Sequence, residues 1–130
     1  MKTLLADDEL TSQIILQDIL SGCGNVHVCV DGGEVLSEYR RALTEDEPYD
    51  LICLDVLMPI MSGLEVLKQI RQEDEIRGRS GKRSTKIIIT TGAGDKATVD
   101  QAFSNSCDAF ITKPINSEDL IAIVQCLFSD

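Results

Sequence analysis

Five short apolar runs at near-regular intervals constrain this chain more than any other feature. They are Lys2–Ala6, Val26–Val30, Asp50–Leu54, Lys86–Thr90 and Ala109–Thr112. Each is near-continuous in Val, Ile, Leu and Cys rather than alternating, the pattern of a strand covered on both faces. They begin at residues 2, 26, 50, 86 and 109, and so lie 24, 24, 36 and 23 residues apart. What recurs is a βα unit, not a sequence.

Helical period fills the intervals. Leu10, Ile14, Ile15 and Ile19 mark one stripe, and Val35, Tyr39 and Leu43 the next. Leu64, Leu67 and Ile70 form a third, Val99, Ala102 and Phe103 a fourth, and Leu120, Val124, Leu127 and Phe128 the last. Asp95 and Asn116 stand at N-cap positions. Strands alternating with helices predict a parallel sheet with right-handed crossovers and helices on both faces. The third unit carries about a dozen extra residues, centred on Arg77-Gly78-Arg79-Ser80-Gly81-Lys82-Arg83. That polar, Gly-rich run reads as a mobile loop, with a docking patch for an acidic partner as the sharper alternative.

At 130 residues the chain is expected to be one domain spanning residues 1–130, with one sizeable core. Twelve basic against 22 acidic residues give a net charge of −10, which argues against nucleic acid and against a membrane surface. No apolar run approaches the roughly 20 residues a membrane span needs, and Asp7-Asp8 comes too early for a signal peptide. Cys23, Cys29, Cys53, Cys107 and Cys126 form no C-x-x-C pair, and His27 is the one histidine, so spacing supports no zinc site. Reduced thiols in a cytoplasmic protein are the expectation.

The chemistry lies at the strand ends. Asp7 and Asp8 follow the first strand, Asp55 the third, Thr91 the fourth and Lys113 the fifth. In an open parallel sheet these positions share one rim, where ligands bind at the reversal of strand order. Three carboxylates crowded together repel unless a cation sits among them, and hard oxygen donors suit Mg²⁺. A carboxylate, a cation, an ammonium and a hydroxyl together serve a phosphoryl group, with Asp as nucleophile. Taken singly, each has a plainer reading: a helix cap, a strand-end Thr, a loop at Lys113-Pro114. Their joint occurrence at successive strand ends outweighs those. His27, Asp31 and Glu45-Asp46-Glu47 have no such company and read as solvated surface.

With these residues in place, the chain resembles the receiver domain of bacterial two-component response regulators, in its stand-alone, chemotaxis-Y-like form. The likeness rests on Asp7-Asp8, on the loop from Asp55 through Met58-Pro59, Met61 and Gly63, on Thr91-Gly92, and on Lys113-Pro114. It covers essentially the whole chain, so the expectation is a receiver domain with no output domain. The resemblance implies an α/β, doubly wound (βα)5, flavodoxin-like three-layer sandwich with strand order 2-1-3-4-5. It implies that Asp55 accepts a phosphoryl group from a histidine kinase or histidine phosphotransfer protein. Asp8, Asp55 and the backbone carbonyl of Leu57 would hold Mg²⁺, with Asp7 acting mainly through water. Lys113 would pair with the phosphoryl group, Thr91 would reorient toward it, and Phe110 would swing inward. The face of the fourth helix, fifth strand and fifth helix would then read out to an unidentified downstream protein. The protein would be a monomer or weak dimer, and no enzyme beyond its own phosphorylation and slow dephosphorylation.

Two departures carry expectations. Leu57 and Ala93 stand where polar groups often help place water in fast-cycling members, so a long-lived phosphoryl state is predicted. Phe110 replaces a common Tyr and must rely on packing alone. The competing functions are a relay intermediate that passes phosphate on to a histidine, and a Mg²⁺-dependent small-molecule phosphatase. Such phosphatases usually need a second Asp where Leu57 stands, and a cap. A receiver working without phosphate would not need the intact acidic, Thr and Lys positions.

Overall fold

The computed structural model describes residues 1–79, 81, 84–92 and 96–129. Its strands are β1 (Lys2–Ala6), β2 (Asn25–Cys29), β3 (Leu51–Asp55), β4 (Lys86–Thr91) and β5 (Ala109–Thr112). Its helices are α1 (Leu10–Ser21), α2 (Gly32–Thr44), α3 (Gly63–Ile76), α4 (Lys96–Ser104) and α5 (Ser117–Leu127). The strands pair in parallel in the order β2-β1-β3-β4-β5. Order reverses at β1 and β3, whose carboxyl ends therefore flank a natural crevice.

Alternate residues of the inner strands feed opposite layers, as the pleat requires. Leu4, Ile52, Leu54, Ile87 and Ile89 pack with Val35, Tyr39, Leu67, Ile70 and Ala102 of α2, α3 and α4. Leu5, Leu51, Cys53 and Ile88 pack instead with Leu16, Leu20, Leu120 and Val124 of α1 and α5. β3 is buried at all five positions, whereas the edge strand β2 alternates. The apolar runs mark the central strands so clearly because both faces are covered.

The expected boundaries shift by one residue in places. β2 starts at Asn25 and leaves Val30 outside, and β3 runs through Asp55, so that carboxylate is the last strand residue. The α1 stripe is a correction. Leu10 and Ile14 are 69% and 60% exposed and Ile15 is 41% exposed, while Ser12, Leu16 and Leu20 are buried. Phe128 also lies outside its helix, at the C-cap, and is largely exposed.

Caps explain several helix starts. Asn116 accepts from the Asp119 N–H at 3.0 Å, as expected. Asp31, read as surface, caps α2 by accepting from Glu34 N–H at 2.8 Å, and Ser62 caps α3. Asp95 lies outside the described residues.

The inserted segment follows the C-cap Arg77, and Ser80, Lys82 and Arg83 within it are also outside the described residues. Two of its four basic side chains pair with acids of α3, Arg77 at the surface and Arg79 against a buried carboxylate. Arg77 pairs with Glu73 at 3.3 Å, and Arg79 reaches the buried Asp74 at 3.5 Å. Asp74 also takes Arg71 at 3.0 Å and a hydrogen bond from Tyr39. A carboxylate this deep needs those donors to offset its lost hydration.

Candidate functional site

β1, β3, β4 and β5 deliver the predicted side chains to one rim. Lys113 Nζ lies 2.9 Å from Asp7 Oδ2 and 3.2 Å from Asp55 Oδ2. Asp7 is completely buried and Asp55 is 5% exposed, whereas Asp8 faces solvent. One ligand oxygen from each of Asp7, Asp8 and Asp55 falls within 4.8 Å of the others. The three acids and the lysine are thus one cluster, as the strand-end pattern predicts.

Local folding fixes each group. The Asp7 N–H donates to the Cys29 carbonyl at 3.2 Å, and Asp7 Oδ1 accepts from Glu9 N–H at 2.9 Å as the chain turns into α1. Val56 N–H donates to the Thr90 carbonyl at 3.1 Å, extending the β3–β4 pairing just past Asp55. The loop then closes with Gly63 N–H on the Val56 carbonyl at 2.9 Å. Gly63 is required by contact: a Cβ there would lie 2.1 Å from the Asp55 carbonyl oxygen. Ile60, in the same loop, has φ of 72°, a left-handed value that is an outlier for a β-branched residue.

Electrostatics favour a cation here. Burial, then the neighbouring Asp7, push the Asp55 carboxyl above its ordinary range, against the pull of Lys113 and the Leu57 N–H. Lys113 is raised as well, because its contacts with Asp7 and Asp55 outweigh its partial burial. Asp7 Oδ2 touches Lys113 as an ion pair but makes no directed hydrogen bond, so a buried carboxylate oxygen is left short of donors. A divalent cation answers that shortage, and the all-oxygen donor set fits Mg²⁺.

The remaining predicted residues sit around this cluster. Thr91 ends β4 buried, with its hydroxyl donating to the Gly92 carbonyl at 3.1 Å rather than toward Asp55. Phe110 is partly buried on β5 and meets Phe103 of α4 edge to face, centroids 5.7 Å apart. Leu57 is 77% exposed at the mouth and brings no polar side chain. Ala93 lies outside the described residues. The peptide before Pro114 is cis, as the strand-ending Lys-Pro suggests. Sequence reasoning missed the contributions of the Leu57 N–H and of Gly63's close approach, although the Gly after Met58-Pro59 was a visible signal for the latter.

The response regulator receiver domain family matches residues 3–125. The chain belongs to that family. This receiver domain is 30% identical over 121 residues to the sensory/regulatory protein RpfC of Xanthomonas campestris, covering 93% of this chain but only 16% of RpfC. It is 27% identical to a probable chemotaxis protein CheY of Rhizobium etli, covering 98% of this chain and 92% of that one. Among solved structures, the chemotaxis protein CheY4 of Vibrio cholerae superposes with a TM-score of 0.80 at 25% identity, covering 98% of both chains. These relatives are signalling proteins, and the domain is a phosphoacceptor module of two-component signalling. Among the described residues no helix is long and apolar enough to cross a membrane.

Proposed function

We propose that Asp55 is the phosphoacceptor, and that it takes its phosphoryl group from a phosphohistidine on a histidine kinase or phosphotransfer protein. The observation that carries this is the direct reach of Lys113 to both Asp55 and Asp7, around a buried Asp7 oxygen that is short of donors. A carboxylate oxygen of Asp55 attacks phosphorus, an O–P bond forms, and the N–P bond to the donor imidazole breaks. The released imidazole nitrogen keeps the bonding pair and takes a proton from solvent.

Asp8, Asp55 and the Leu57 carbonyl would hold Mg²⁺, with Asp7 behind them. When bound, the ion supplies positive charge against the phosphoryl oxygens in the transition state. Lys113 exchanges its carboxylate contact for a phosphoryl oxygen and keeps that oxygen oriented. Thr91 gives up the Gly92 carbonyl and donates its hydroxyl to the same group. The space it leaves accepts Phe110, whose contact with Phe103 transmits the change to α4. One phosphate suffices only if the two arrangements differ by a few kcal/mol.

The test is incubation with a small acyl phosphate and Mg²⁺, followed by intact-mass measurement. Wild type gains one phosphoryl group, and Asp55→Asn gains none. An unmodified wild type rejects the assignment. Onward transfer of the label to a histidine phosphotransfer domain identifies a relay role, and retention identifies a terminal switch.

A further inference from the structure

The edge strand β2 and the first turn of α2 bring together three side chains that the sequence keeps apart in kind. His27 and Cys29 alternate along β2, so both project to one face of the sheet. That face is the one covered by α2, where Glu34 occupies the first turn. One ligand atom from each, an imidazole nitrogen, the Cys29 sulfur and a Glu34 oxygen, all fall within 4.8 Å of one another. Cys29 is completely buried while His27 and Glu34 are exposed, so a cation held by all three would sit at the boundary between core and solvent. The lone histidine and scattered cysteines make no zinc motif in sequence; proximity here comes from the fold.

We propose that His27, Cys29 and Glu34 form a binding site for a borderline transition-metal cation of the Zn²⁺ class. The donor set decides the class. Nitrogen, sulfur and carboxylate oxygen from three side chains, with a fourth position left to water, is a tetrahedral Zn²⁺ arrangement and a poor one for Mg²⁺. Burial first, then Glu34, Glu38 and Asp31, push the Cys29 thiol up to about 12, and a cation beside the sulfur relieves the acidic share of that rise. On binding, the sulfur–metal bond replaces the S–H bond, and the proton passes to solvent. The site is separate from the aspartate cluster, and the two are linked through the backbone, where the Cys29 carbonyl accepts from Asp7 N–H. Bound metal would pin the edge strand to α2 and thereby stabilise the fold.

Co²⁺ serves as the spectroscopic probe, titrated into the full chain under a phosphine reductant with excess Mg²⁺ present. The expected result is a thiolate-to-cobalt charge-transfer band saturating at one ion per chain, displaced by Zn²⁺. Cys29→Ser abolishes the band, and His27→Gln, at an exposed position that leaves the fold intact, weakens binding at least tenfold. Asp55→Asn keeps the band, so this result stands or falls independently of the phosphoacceptor assignment. No band in wild type, a band persisting in Cys29→Ser, or unchanged affinity in His27→Gln would each overturn the proposal.

Discussion

Asp55 and Asp7 are two buried acids sharing one lysine, and that imbalance shapes the chemistry at residue scale. Because burial and Asp7 raise the Asp55 carboxyl, a cation that relieves the repulsion also favours the ionised nucleophile. The residue positions were legible in sequence, since each follows an apolar run that ends in a chemically distinctive side chain. Depth was not. Nothing in Asp7-Asp8 tells which acid is buried, and only packing against Glu9 and Lys113 decides it. The orientation of the Thr91 hydroxyl was likewise set by the Gly92 carbonyl, a contact no pattern encodes. Leu57 carries a prediction of its own. With an exposed aliphatic group at the mouth and no polar partner for an attacking water, the phosphorylated protein should keep its label for many minutes in Mg²⁺ buffer. Leu57→Asn should shorten that lifetime several-fold, whereas loss within seconds in wild type would contradict the reading.

Among elements, the loop from β3 to α3 and helix α2 make the sharpest tests. Gly63→Ala forces a methyl against the Asp55 carbonyl, so it should cost on the order of 2 kcal/mol in urea unfolding and slow phosphorylation as well. An unchanged midpoint would show that the loop yields freely. Glu38 pairs with Arg41 one turn along α2 at 2.6 Å and ties the helix to Tyr49, in the approach to β3, at 2.8 Å. Its hydrogen bond from Arg41 first, and that from Tyr49 less so, lower its carboxyl to about 2. A lowered folded value contributes stability above the ordinary carboxyl range and loses it as pH falls through the folded value. Glu38→Gln should therefore be less stable than wild type at pH 7, by at most about 1 kcal/mol. Unfolding curves should converge as pH drops below the ordinary value of 4.5 toward about 2, and a gap constant with pH would refute the account. Elements were readable where one face alone is apolar, as in α2. α1 failed because Leu10, Ile14 and Ile15 add apolar residues outside the Leu16–Leu20 face, so periodicity selected the wrong stripe.

For the whole molecule, a parallel βα alternation was written plainly in five apolar runs, and the sheet order followed from the family likeness. What sequence spacing could not carry was proximity between different units, such as Arg71 of α3 reaching Asp108 ahead of β5 or Tyr39 of α2 donating to Asp74 of α3. Those contacts depend on the crossover geometry that lays each helix on its strands. The same geometry brings the ends of β1 and β3 to Lys113, and that convergence is what makes Asp55 the proposed acceptor. Borohydride reduction of the acyl-phosphate-treated protein, followed by peptide mass spectrometry, tests it most directly, since it converts a phosphorylated aspartate to homoserine. The expected product is homoserine at position 55 alone; homoserine at position 7 or 8, or none in protein that carries phosphate, would contradict it.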